Sequence, residues 1–152
     1  MGKRSGMRDT QLYRQILGLD DPWFVRDVQL KIDKGRVDIQ VEHRPDARWA
    51  CPVCGKPAGL YDHADERVWR HLDSCQFQTF LHARVPRTAC AEHGIHKVKL
   101  PWAETRSRFT LLMERLIIDV IGHCSTISGA CVVMRVSWDE AFDLMASKWK
   151  ET

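Results

Sequence analysis

The chain has 152 residues, 44% of them hydrophobic and 28% charged, and its 23 basic and 20 acidic side chains leave a net charge of +3. That length suits one ordinary domain, or two small ones if a metal supports one of them. No apolar stretch approaches the ~18 residues of a membrane helix, and the first 30 residues hold no signal-peptide core. A cytoplasmic protein without a membrane partner is expected, in which Cys/His pairs bind metal more readily than they form disulfides.

Residues 1–10, with Gly2, Gly6 and three basic side chains, read as a loose basic arm. From Thr10 a short amphipathic helix is predicted, because Leu12, Ile16 and Leu19 recur at helical spacing and Gly18 weakens its end. Arm and helix fill residues 1–21. Over residues 22–46 the period becomes two: Val28, Leu30 and Ile32 alternate with polar residues, Asp33-Lys34-Gly35-Arg36 supplies turn chemistry, and Val37, Ile39 and Val41 alternate again. This is the pattern of a β-hairpin. The opposite face (Asp27, Gln29, Lys31, Asp38, Gln40, Glu42) is polar and is expected to be solvated.

Residues 47–103 form the next unit. Cys51-Pro52-Val53-Cys54-Gly55 and Cys90-Ala91-Glu92-His93-Gly94 each place two metal-capable residues on one tight turn, with a glycine straight after. Zinc prefers four tetrahedral sulfur or nitrogen ligands, and two such knuckles supply them. The trailing glycine tolerates the positive φ such a turn needs. A thioredoxin-like redox pair would require a helix starting at the motif, whereas Pro52 and Pro57-Ala58-Gly59 argue for turns. His93 is preferred to His96 as a ligand because only His93 reproduces the gap and glycine of the first knuckle. The expected zinc set is Cys51, Cys54, Cys90 and His93. Between the knuckles, Val68–Leu72 and Phe77–Val85 predict a second hairpin, with Cys75 in its turn and Trp69 and Phe80 packing the sheet. Zinc tying a pair of turns at one end of this small sheet makes a ribbon-like finger, much of whose folding free energy comes from the metal.

Residues 104–152 are helical in pattern. Phe109, Leu112, Met113, Leu116, Ile117, Val120 and Ile121 describe one buried helix face ending near Gly122. A short helix is expected within residues 125–136, and Ser137-Trp138-Asp139-Glu140 has the capping-box form that opens a last helix containing Ala141, Phe142, Leu144 and Met145. Two short helices across a tight turn make either a helix-turn-helix unit or a plain bundle, and the pattern alone leaves both open. Charge is unevenly spread: from Arg84 to Arg115 there are seven basic residues against three Glu. The basic character surrounds the second knuckle and the segment after it.

These motifs together resemble the N-terminal region of bacterial insertion-sequence transposases of the ISL-three type. The resemblance rests on the Cys51 knuckle, Trp69-Arg70-His71-Leu72-Asp73, Leu81-His82-Ala83-Arg84-Val85-Pro86-Arg87 leading to Cys90, the Cys90–His93–Gly94 knuckle, and Val98 with Pro101-Trp102-Ala103. It implies an α+β fold of two β-hairpins with a zinc-ribbon-like finger, then a three-helix helix-turn-helix segment. It also implies zinc on Cys51, Cys54, Cys90 and His93, and binding of double-stranded DNA at terminal inverted repeats in a bacterial, nucleoid-associated setting. The carboxylates of the family's DDE nuclease domain lie beyond such a region, so no catalytic residue is expected here. DNA contacts are expected from Arg84, Arg87, Lys97, Lys99, Arg106, Arg108, Arg135 and Trp138. Asp139, Glu140 and Asp143 suit the N-terminus of the last helix but repel phosphates, so Arg84 to Arg108 is the better DNA surface. Paired transposon ends imply a homodimer or a transposase partner. The rival readings are a protein-interaction module of a transposition complex and a fragment of an active transposase.

Overall fold

The computed structural model describes residues 8–149, in the order α1 (Asp9–Leu17), β1 (Trp23–Lys31), β2 (Arg36–His43), β3 (Trp49–Ala50), β4 (Pro57–Ser74), β5 (Phe77–Cys90), β6 (Gly94–Lys97), α2 (Leu111–His123), α3 (Ile127–Met134) and α4 (Trp138–Trp149). Most of the expected basic arm, residues 1–7, lies outside the described residues. No described helix is long and apolar enough to cross a membrane. The layout is α+β, as the sequence implied.

Both predicted hairpins are present. In the first, β1 and β2 pair antiparallel through Leu30↔Val37, with a 3₁₀ turn at Ile32–Lys34 and Gly35 at φ 62°. In the second, Ser74 pairs with Phe77 across Cys75 (φ 51°) and Gln76 (φ 74°). Two positive φ values in a two-residue loop define a type I′ turn, whose twist matches the flanking strands. The two hairpins form one sheet, because β2 runs parallel to β5 from Arg36↔Gln78 to Gln40↔His82. The strand order is β1-β2-β5-β4-β3, with β6 paired to β5 beyond the end of β2.

That junction changes the expected solvated face. Asp38 is 4% exposed, because β5 brings His82 against it. Its carboxylate accepts from His82 Nε2 at 2.7 Å and from Arg36 at 2.6 and 3.0 Å, and Lys31 Nζ lies at 3.0 Å. Burial raises this carboxyl, but the bonds from Arg36, His82 and Lys31 outweigh it and hold it below the usual carboxylate range. Arg36 also covers the Phe80 ring at 4.1 Å. Period-two reading sees one hairpin at a time and cannot see a neighbour arriving from 40 residues downstream.

The helix predicted near Thr10 forms, but its apolar face differs from the expected one. Leu12 and Ile16 are 47% and 46% exposed, while Leu17 and Leu19 are buried. Gly18, left-handed at φ 64°, ends α1 with its N–H on Arg14 and Gln15 carbonyls. The chain reversal there turns Leu17 and Leu19 inward together.

Two apolar cores result. The β core gathers Val37, Ile39, Leu81 and Val85 with Trp23, Trp69 and Trp102, and Trp49 packs against it. The tryptophan rings meet edge to face, Trp102 lying 4.8 Å from Trp23 and 5.5 Å from Trp69. The helical core holds Phe109, Met113, Ile117, Cys131, Met134, Val136, Ala141 and Leu144. In α2 the buried face is narrower than predicted: Leu112 and Leu116 are 43% and 38% exposed, and Glu114 is buried in their place. Glu114 is held by Ser107 Oγ and faces Lys148 Nζ at 3.3 Å. The expected capping box is present, with Ser137 N–H donating to Glu140 at 2.9 Å and Glu140 N–H to Ser137 Oγ at 3.1 Å.

Candidate metal centre and nucleic-acid interface

Each knuckle is a backbone turn fixed by local chemistry. In the first, between β3 and β4, Cys51 N–H donates to the Lys56 carbonyl and Gly55 N–H to the Cys51 carbonyl, both at 2.8 Å. In the second, Cys90 pairs with Gly94 across a three-residue loop joining β5 to β6. Gly55 and Gly94 both sit at φ 75° with open space where a Cβ would stand, so backbone conformation alone demands glycine there.

The sheet register carries the two turns to one end, and the ligand atoms of Cys51, Cys54, Cys90 and His93 all lie within 4.8 Å of one another. Cys54 and Cys90 Sγ are 3.8 Å apart, and His93 Nδ1 lies 3.7 Å from Cys90 Sγ and 4.0 Å from Cys51 Sγ. A tetrahedral ion with ordinary Zn–S and Zn–N bonds separates its ligands by about 3.8 Å for two sulfurs and about 3.5 Å for sulfur and nitrogen. The donor set and spacing therefore fit a structural zinc site, and zinc is the cofactor. These four residues would fill all four positions of a tetrahedral ion, as in sites where zinc folds the chain and does no chemistry.

The Cys90 and Cys54 thiols are shifted in opposite directions. The backbone N–H of Glu92, the His93 side chain and the His93 N–H bring the Cys90 thiol down to about 6. At Cys54 the Lys56 amide lowers the thiol, but burial and the thiols of Cys51 and Cys90 outweigh it and leave it raised. Val53 N–H reaches Cys51 Sγ at 3.4 Å and orients that side chain within the knuckle. His96 stands outside the cluster, its Nε2 2.7 Å from the His93 carbonyl.

The residues expected to meet DNA fall into three groups. Arg84, Lys97, Lys99, Arg106 and Arg108 are exposed and make no ion pair among the described residues. Lys97 and Lys99 lie on and just after β6, next to the second knuckle. Arg106 and Arg108 lie in the loop before α2, where Arg106 is left-handed at φ 68°. The second group is engaged internally. Arg87 forms a two-pronged pair with Asp62, and Arg135 donates to Asp73 at 2.5 Å and to the Gln76 carbonyl at 2.8 Å. Trp138 stands apart on α4, 48% exposed and stacked on Phe142 with ring centroids 5.0 Å apart.

Sequence reasoning missed Arg70. It is 8% exposed, and its guanidinium donates to the Met134 and Arg135 carbonyls at 2.6 and 2.5 Å. It thereby ties the β4–β5 hairpin to the turn between α3 and α4. The only signal was its place within the Trp69–Asp73 motif, which says nothing about which turn it would reach.

Residues 47–93 match the family described as the zinc-finger of transposase IS204/IS1001/IS1096/IS1165. Residues 98–141 match the helix-turn-helix domain of transposase family ISL3. Two curated relatives, both transposases for insertion sequence element IS1557 from Mycobacterium tuberculosis (strains CDC 1551 / Oshkosh and ATCC 25618 / H37Rv), are 31% identical over 151 residues. The alignment covers 96% of this chain but 34% of each relative, so the chain spans about a third of their length. No solved structure gives a significant match. Over residues 47–93 and 98–141 the chain is similar to the zinc-finger and helix-turn-helix domains of ISL3-type insertion-sequence transposases.

Proposed function

We propose that this chain is a zinc-dependent binder of double-stranded DNA that recognises transposon ends, at terminal inverted repeats, without itself carrying out strand transfer. Cys51, Cys54, Cys90 and His93 hold the zinc, which folds the end of the sheet that bears β6. The observation that carries this reading is the exposed Lys97 and Lys99 beside the knuckle, which form no ion pair among the described residues. Arg84, Arg106 and Arg108 extend the basic surface. Such side chains position a duplex through its phosphates and contribute affinity without reading sequence. Arg87 and Arg135 are held by carboxylates and are left out of the proposed contact set.

Helix α4 is a poor phosphate neighbour. Its first turns carry Asp139, Glu140 and Asp143, and residues 136–147 contain no Lys or Arg. Base reading is accordingly assigned away from α4, and its acidic side chains orient the duplex by repulsion.

Fluorescence anisotropy on a duplex carrying an element end, compared with a scrambled duplex, tests the reading. The logarithm of the binding constant should fall with that of salt at about 0.9 per neutralised phosphate. Lys97→Ala and Lys99→Ala should each weaken both duplexes equally and reduce the slope by about 1. Binding that survives chelation of zinc, or a slope near zero, refutes it.

A further inference from the structure

The loop before α2 that carries Arg106 and Arg108 is bonded to the sheet and to α2 around Ser107. Arg67 on β4 donates from its guanidinium to the Ser107 carbonyl at 2.9 Å. The same guanidinium lies over the Trp69 ring, 4.7 Å from its centroid, and Trp69 is fully buried in the β core. The Ser107 hydroxyl donates to the buried Glu114 carboxylate and accepts from the Phe109 N–H at 3.1 Å. Beside it, Arg70 N–H donates to the Arg108 carbonyl at 2.8 Å, and Thr110 N–H to the Arg70 carbonyl at 3.0 Å. The backbone of residues 107–110 is thus pinned, while Arg106 and Arg108 themselves are exposed.

Arg106 occupies a turn position that disfavours it. Ser107 N–H bonds the Glu104 carbonyl at 3.2 Å, closing a four-residue turn whose third residue, Arg106, has φ 68°. A single positive φ at that position marks a type II turn, where glycine or asparagine is the usual residue. The other arginine in the left-handed region, Arg135, secures its side chain on Asp73 and the Gln76 carbonyl. The Arg106 guanidinium has no hydrogen bond or ion pair among the described residues. A strained residue with an unengaged cationic side chain, set in an otherwise well-bonded loop, is a local conflict that an external anion resolves.

We propose that residues 104–108 form a preformed grip on the phosphates of a duplex, in which Arg106 and Arg108 make the contacts and Arg67 is the positioning residue. From its seat on Trp69, Arg67 holds the Ser107 carbonyl and so fixes the backbone between the two arginines. The loop then needs no backbone ordering when the duplex arrives, and the two contacts are stronger for it. This role rests on the DNA reading above. It adds to that reading a residue that acts on DNA only through its neighbours.

A double-mutant cycle tests the role, read by duplex anisotropy on the zinc-loaded chain at low salt, where weakened variants still bind measurably. Arg67→Ala should weaken binding about tenfold in the otherwise wild-type chain and leave it unchanged once Arg106→Ala and Arg108→Ala are both present. A tenfold loss in both backgrounds would make Arg67 a direct phosphate contact, and no loss in either would make it a purely structural residue; each result overturns the proposal. Arg106→Gly reads the strain separately. Its urea midpoint should stay level or rise, because glycine relaxes the turn, while duplex binding falls about tenfold. A lower midpoint overturns the grip, since Arg106 would then serve the fold. Binding that survives Arg106→Gly combined with Arg108→Ala also overturns the grip, and leaves the DNA reading on Lys97 and Lys99. A wild-type chain that binds no duplex refutes the DNA reading itself, and the Arg67 role falls with it.

Discussion

His71 is a histidine that the fold keeps neutral. Burial pulls its pKa from about 6.5 down to about 4, since an imidazolium there would lose its water. The unfolded chain therefore binds a proton between pH 6.5 and 4 that the folded chain refuses, and stability rises with pH across that window. The stabilisation is present above 6.5 and lost as pH falls toward 4, by about 3 kcal/mol in total. Asp38 acts in the same direction at lower pH. Its lowered carboxyl contributes stability above the ordinary aspartate range, which is lost as acid protonates it. Urea midpoints measured from pH 7 to 4 should fall steadily in the wild type, and His71→Gln should flatten the curve above pH 4.5. A variant that keeps the full slope would assign the effect to other groups. At this scale the sequence singled out Cys51, Cys54, Cys90 and His93 because knuckle spacing is local. His71 and Asp38 were illegible because their burial depends on Thr110 and His82, far along the chain.

Elements meet at turns, and the turn between α3 and α4 is fixed from outside the helices. Arg70 from β4 bonds two of its carbonyls, Arg135 answers through Asp73 and the Gln76 carbonyl, and Arg135 itself adopts the left-handed conformation at φ 55°. The hairpin turn thus sets the angle at which α4 leaves α3. Arg70→Lys retains the charge but loses the planar fork, so it should not restore what Arg70→Ala removes. Both should cost about 3 kcal/mol, the penalty for leaving the Met134 and Arg135 carbonyls without their donor, read as a shift in urea midpoint. Full recovery by lysine would show that only the charge matters. Ser137→Ala should cost about 1 kcal/mol, because it removes one half of a capping box visible in the sequence as S-x-x-E. Whereas β3, β6 and residues 57–67 of β4 carried no local signal, the strands flanking the two hairpin turns, those turns and the cap were readable because their signals are local. The β2–β5 parallel pairing and the Arg70 clamp were not, since neither alternation nor helical periodicity encodes which elements become neighbours.

Across the whole molecule the apolar mass and the four candidate metal ligands gather in different parts of the same sheet. Trp23, Trp69 and Trp102 fill the β core, whereas residues 57–68 of β4 include no buried side chain and all four residues of β6 are exposed. A segment that buries so little cannot offset the entropy of ordering its backbone without the metal. Zinc removal is therefore expected to melt the ribbon end and spare the rest, because Trp49 joins the first knuckle to the tryptophan core only at its edge and the helical core lies apart from both knuckles. Hydrogen exchange followed by mass spectrometry, with and without chelator, distinguishes the outcomes. Peptides covering residues 49–62 and 90–97 should lose protection, while those covering residues 69–81 and α2 should keep it. Tryptophan emission should change little, since three rings stay packed on one another. DNA affinity should fall together with the knuckle protection, because Lys97 is carried by the strand that melts. Loss of protection in all peptides at once would mean that zinc holds the whole chain together and that the two cores are one cooperative unit.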